Sequence, residues 1–217
     1  MNFRRAGTVM VLYTSAHIHG QENVSQTAVR GSLINLTGPK RGIDFLGDIL
    51  IEYDMRIKTA ESEKHDLQLI DGVSALGHMG MRNLSVFTRR IHGDCGGVDI
   101  TFSNIENAVE TTVEVAISEV QRSFNLSLGC FTSGLKEQIQ LFDGVIDEAR
   151  SLKRSVIAVV IDSWIHFKFK VGPEPSSFAE HDCFFNAGNH GSSARKIKTD
   201  FALMSVKVTW SPLPEGF

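Results

Sequence analysis

Ala108-Val109-Glu110-Thr111-Thr112-Val113-Glu114-Val115-Ala116-Ile117-Ser118 is the stretch that decides the fold. Val109, Thr111, Val113, Val115 and Ile117 alternate one for one with Glu110, Thr112, Glu114, Ala116 and Ser118. Side chains of a strand point to opposite faces at period two, so this segment has one dry face and one wet face. The same alternation runs through Ile49, Ile51, Tyr53, Met55 and Ile57, and again through Met204, Val206, Val208 and Trp210.

Working outward from these three, strands are expected over 8–13, 32–36, 48–58, 66–70, 84–89, 98–102, 108–118, 124–130, 138–142, 155–161, 164–171, 181–185 and 203–210. Turn chemistry separates them. The run 37–42 combines Pro39 with Gly38 and Gly42, and 93–97 reads as a tight reversal. Asp71-Gly72 and Asp143-Gly144 are short-hairpin signals. Residues 135–152 carry Ile139, Phe142, Ile146 and Ala149 at helical spacing, but Gly144 interrupts them. A strand, an Asp-Gly turn, and then a second strand or one short helix is the preferred reading. The two prolines of 172–177 make that stretch a loop. Many short strands without amphipathic helices argue for an all-β chain: an antiparallel β-sandwich or a barrel-like sheet, with at most one or two short helices.

At 217 residues with 42% hydrophobic content, the chain can bury a real core. It is expected to be one globular domain: residues 1–31 are an N-terminal strand and loop, and 32–217 a single β-rich body. With 22 basic residues against 25 acidic, the formal net charge of -3 exerts no long-range pull on nucleic acid or anionic lipid. No stretch approaches the ~20 apolar residues that a helical membrane span needs. The start, Met1 to Arg5, reads as a soluble beginning and not a signal peptide. Cys95, Cys130 and Cys183 are widely spaced and odd in number, which fits reduced thiols in the cytoplasm. The sequons at Asn23, Asn35, Asn83 and Asn125 then read as chance.

Candidate chemistry is sparse. His17 and His19 form an H-x-H pair, but nothing in the spacing ties them to His181, Cys183 or His190, so neither a metal nor a cofactor is expected. Glu110 and Glu114 share one strand face about 13 Å apart, too wide for a glycosidase pair, and read as a solvated face. Nucleophile elbows, zincin motifs and phosphate loops are missing. Cys95 sits in a turn as a candidate exposed thiol, near Arg89, Arg90 and His92. Three basic groups, Lys168 with Lys170, Arg195 with Lys196 and Lys198, and Arg150 with Lys153 and Arg154, read as wet sheet faces before nucleic-acid patches. Trp210 falls on the apolar face of its strand. Trp164 shares a polar face with His166, Lys168 and Lys170, and those four make the expected binding surface.

Four phrases then carry a resemblance. They are Leu36-Thr37-Gly38-Pro39-Lys40-Arg41-Gly42-Ile43, Asn107-Ala108-Val109-Glu110-Thr111-Thr112-Val113-Glu114-Val115, Ile139-Gln140-Leu141-Phe142-Asp143-Gly144-Val145-Ile146 and Val206-Lys207-Val208-Thr209-Trp210-Ser211. In this order they resemble a plant domain of unknown function, abundant in grasses. That domain is similar to the C-terminal half of the jasmonate-induced ribosome-inactivating protein of cereals. The resemblance spans 32–212, while 7–30 matches poorly, so an edge strand is expected to be exposed there and could support a homo-oligomer.

The resemblance implies a stress- or defence-related setting and offers no catalytic residues to carry over. It also implies that the N-glycosidase activity of the cereal protein belongs to its other half, with Glu and Arg spaced E-x-x-R. Here Glu148-Ala149-Arg150 is E-x-R, and the two side chains would diverge on a helix. The expected function is a non-catalytic binding or regulatory β-domain. Association with rRNA N-glycosidase action and lectin-like carbohydrate binding are the alternatives. A protein partner, related to translation, is the expected one; membrane is not expected.

Overall fold

The computed structural model describes residues 9–20, 33–35, 43–44, 48–58, 66–77, 83–94 and 96–212, with side chains from Asp48 onward. In chain order the strands are β1 (Val9–Gly20), β2 (Leu33–Asn35), β3 (Ile43–Asp44), β4 (Ile49–Ile57), β5 (Leu67–Leu76), β6 (Val86–Gly93), β7 (Gly96–Ile105) and β8 (Ala108–Ser118). They continue with β9 (Phe124–Thr132), β10 (Leu135–Ile146), β11 (Arg150–Ser151), β12 (Ser155–Val160), β13 (Trp164–Gly172), β14 (Ala179–Asn186), β15 (Gly191–Lys198) and β16 (Leu203–Ser211). One 3-10 turn, Pro175–Ser177, lies in the expected loop, where Pro175 presets φ at its start. The expected all-β class holds, and no sheet among the described residues closes into a barrel.

These strands fall into two compact units, one holding β3 and β8 to β16, the other β1, β2 and β4 to β7. The first is a sandwich. One sheet has the order β10-β9-β13-β14; the other runs β11-β8-β16-β15, with β12 also pairing β8. Every pairing within the two sheets is antiparallel. The alternation places the dry rows between them. Val113, Val115 and Ile117 of β8 meet Leu126 and Leu128 of β9, Phe167 and Phe169 of β13, and Met204, Val206 and Val208 of β16 in one buried cluster. Fully burying side chains of this size stabilises by about 1.5–3 kcal/mol each, so this cluster is the main source of the unit's stability. Trp210 is buried here, as its position on the apolar face requires.

Cys130, Phe167 and Cys183 form one inward row across β9, β13 and β14. Two strand spacings separate the Cα atoms of the two cysteines by ~9.5 Å, which is beyond the ~7 Å Cα–Cα limit for a disulfide. Both cysteines are free.

In the second unit β1 lies between β2 and β7 in the order β2-β1-β7-β6, and β4 pairs β5. Its buried residues include Leu69, Ile70, Val98, Ile100 and Phe102. The reversal expected at 93–97 is a hairpin that closes where Gly93 pairs Gly96.

Several expectations are corrected. Asp71-Gly72 and Asp143-Gly144 are not turns; each lies inside a strand, β5 and β10 respectively. Gly72 stands opposite Tyr53, whose ring packs over it and whose hydroxyl meets Ser74 Oγ at 2.9 Å. Gly144 is likewise covered by Phe142 of its own strand. An aromatic ring over a strand glycine shields its backbone, and pairing with β4 or β9 outweighs the local turn signal. Residues 135–146 therefore form one strand with no helix after it.

β15 falls outside the expected strands. It carries no alternation of apolar and polar residues, because it is an edge strand exposed along nearly its whole length. Glu110 does not stand in water either. It is 4% exposed, on a central strand flanked by Ala158 of β12 and Ser211 of β16. Alternation fixes the side a residue faces, not what covers that side. Glu114 does keep the solvated position expected of it and pairs with Lys207 at 3.2 Å.

Candidate functional site

β13 is the central element of the candidate surface. Its odd-numbered residues Ile165, Phe167 and Phe169 are buried, so Trp164, His166, Lys168 and Lys170 all project from the outer face of the first sheet. The structure thus brings together the four residues expected there. Register adds others that the sequence did not signal. His166 lies between Phe131 of β9 and Phe184 of β14, and Lys168 lies opposite Asp182.

Phe131, His166 and Phe184 form a three-ring row across the strands. The His166 and Phe184 rings are parallel, with centroids 4.0 Å apart and planes 9° apart, and Phe131 lies 5.8 Å from His166 on the other side. Nε2 of His166 meets Asp182 Oδ1 at 2.5 Å. Trp164 and Phe184 are 41% and 52% exposed. They occupy diagonal positions on paired strands, within reach of one another as large rings. Exposed Phe184 escaped the sequence reading because Phe184-Phe185 looks like core; only the register with β13 turns Phe184 outward and Phe185 inward.

The charges on this face are largely self-compensating. Lys168 Nζ meets Glu180 Oε2 at 2.6 Å, and Lys170 lies 3.9 Å from the same carboxylate. The hydrogen bond it donates to Glu180 holds the Lys168 ammonium above its ordinary value, with further support from the charges of Glu180 and Asp182. A polyanion meets no uncompensated cationic stripe here, whereas a neutral ligand with hydroxyls meets rings, carboxylates and the amide of Asn186.

The other candidates are not assembled. His17 and His19 both lie in β1, outside the described side chains, and no group of three potential metal ligands occurs among the described residues. His190 is exposed between β14 and β15, while His181 and Cys183 face inward on β14. Burial pushes the Cys183 thiol up to about 12, opposed by the Arg195 charge, and pushes the Cys130 thiol up as well. Cys95 and the turn at 36–42 lie outside the described residues. Glu148 and Arg150 are both exposed, with Arg150 opening the two-residue β11, so no helix holds them side by side.

A second feature flanks the first. Between β14 and β15 runs an open trough of about 420 Å³, with Asp182, Cys183 and Phe184 on one wall and Arg195, Lys196 and Ile197 on the other. Arg195 places its guanidinium 5.8 Å from the centre of the Phe185 ring.

Residues 17–208 match the family described as "Domain of unknown function (DUF6598)". No curated protein matches the chain. Solved structures similar to it include human GIVD cytosolic phospholipase A2, at 9% identity and a TM-score of 0.26 over 97% of this chain and 28% of that one. The same enzyme in complex with methyl gamma-linolenyl fluorophosphonate gives 8% identity and a TM-score of 0.26 over 99% and 30%. The chain spans less than a third of those structures, and the likeness bears on neither fold nor chemistry here.

Proposed function

The chain belongs to the DUF6598 family, and on that footing we propose that it is a non-catalytic binding domain whose recognition surface is the outer face of β13 and β14. The observation that carries this reading is the exposed pair Trp164 and Phe184 beside the His166–Asp182 contact. Aromatic faces offer flat apolar area at low entropic cost, and the neighbouring carboxylate and amide supply directional hydrogen bonds. A saccharide suits this combination. Its C–H face would stack on the rings, and its hydroxyls would meet Asp182 and Asn186.

The four ordered phrases read from the sequence support a grass source and a stress- or defence-related setting, for which induction by jasmonate is the direct measurement. The free, buried cysteines support a reducing compartment.

The test is a glycan array followed by titration of the best glycan against the wild type, Trp164→Ala and Phe184→Ser. Each variant should weaken binding about tenfold or more, as loss of a central aromatic contact does. Failure of every glycan to bind, or equal binding by all three proteins, would sink the saccharide reading. Adenine release from ribosomes that depends on Glu148 would sink the non-catalytic one.

A further inference from the structure

We propose that β15 receives an extended acidic segment of a partner protein as an added strand of its sheet. The first observation is an open edge. Gly191 to Lys198 pair with Trp210 to Leu203 of β16 on one side, and no described strand occupies the other. A row of N–H and C=O groups is therefore open along an eight-residue strand. Neither proline nor a register shift interrupts it. Strand addition uses such a row for affinity and alternate side chains for selectivity.

The second observation is charge. Lys168, Lys170 and Lys207, on interior strands, each stand beside a carboxylate. Arg195, Lys196 and Lys198 are exposed and have no ion pair among the described residues. Register places Arg195 opposite buried Val206, on the inner side, and Lys196 opposite Ser205, on the outer side. An added strand with carboxylates on both faces would meet all of them. The trough beside β14 leaves room for its inward side chains.

The same charges disfavour a second copy of this chain, because two β15 edges would set cation against cation. A nucleic acid would meet the cations but leave the backbone row unused. Lysines on an edge also serve simply to block strand pairing, and the experiment separates that role from recognition.

The full chain is titrated with a fluorescent octapeptide that carries glutamates in adjacent pairs between valines and threonines. Its lysine counterpart and two N-methylated versions, one in each alternating frame, are compared. The acidic peptide should bind, the lysine peptide should bind at least tenfold more weakly, and only one N-methylated frame should lose binding. Arg195→Gln/Lys196→Gln/Lys198→Gln should also lose at least tenfold, with its urea midpoint confirming an intact fold. Trp164→Ala should bind the peptide unchanged, which keeps this result separate from the glycan reading. No binding of the acidic peptide, equal binding by both N-methylated frames, or tighter binding of a single-stranded oligonucleotide would each overturn the proposal.

Discussion

The imidazole of His166 lies flat against the ring of Phe184, with centroids 4.0 Å apart and planes inclined by 9°. The two residues are direct cross-strand partners on β13 and β14. Stacked rings of this kind contribute about 0.5–1.5 kcal/mol beyond the area they bury. With about half of its surface also buried, Phe184→Ala should cost about 1–3 kcal/mol of stability, measured as a shift in urea midpoint at unchanged slope. A loss above that range would mean that Phe184 belongs to the core.

Phe167, one position further along β13 from His166, behaves differently. It is fully buried and meets Phe185 edge-on at 5.9 Å between centroids. Phe167→Ala should destabilise by about 3–5 kcal/mol, since the cavity adds to the lost transfer energy. Chemical denaturation of the two variants side by side is the check.

The Lys168–Glu180 pair sets a pH dependence at the alkaline end. The folded state holds the Lys168 ammonium above its ordinary value of 10.5. Its contribution is fully present below that unfolded value and is lost as pH rises through the folded one. The urea midpoint should fall as pH rises above about 10.5, and Lys168→Met should lessen the fall. The effect is small because the pair is solvent-screened. An identical pH profile for the variant would show that the pair contributes nothing.

Cys130 and Cys183 should resist alkylation in the native protein at about pH 8. Burial raises both thiols, Cys183 to about 12, and the thiolate is the reactive form. Peptide mapping after iodoacetamide treatment should show both modified in urea and at least about a hundredfold more slowly without it. Equal rates would show that the inner face of β14 opens readily.

Two glycines should differ in how much an added methyl costs. At Gly172 a Cβ would lie 2.6 Å from the carbonyl oxygen of Ser177, which is fixed backbone, so Gly172→Ala should cost about 1–3 kcal/mol. At Gly129 the three nearest atoms all belong to the exposed side chain of Gln138, which must change rotamer and release its bond to Gln140 Oε1 but is not fixed backbone. Gly129→Ala should therefore change stability by less than about 1 kcal/mol. Thermal melts of both variants decide it.

The alternation seen from Ala108 was enough to read strands β4, β8 and β16, with the buried rows of β8 and β16 and the half-buried row of β4, because period two is a local property of the chain. The same locality explains the failures. Asp71-Gly72 and Asp143-Gly144 carry a valid turn signal, yet β4 and β9 hold them extended under Tyr53 and Phe142. β15 gave no signal, since an edge strand exposed on both faces has no dry row to display. Trp164, His166, Lys168 and Lys170 were legible as one face because they share a strand. Phe131, Asp182 and Phe184 were not, because they join that face only through pairing with β9 and β14.

The sequence by itself thus determined that this chain is all-β and which side of each regular strand is dry. Tertiary structure decided which strands lie side by side, which outer positions are covered, as at Glu110, and which edge is left open, as at β15. The physical reason is that side-chain alternation is fixed by the backbone geometry of consecutive residues. A ring stack, a buried carboxylate or an open row of hydrogen-bonding groups depends instead on residues far apart in the chain, and only strand register brings those together.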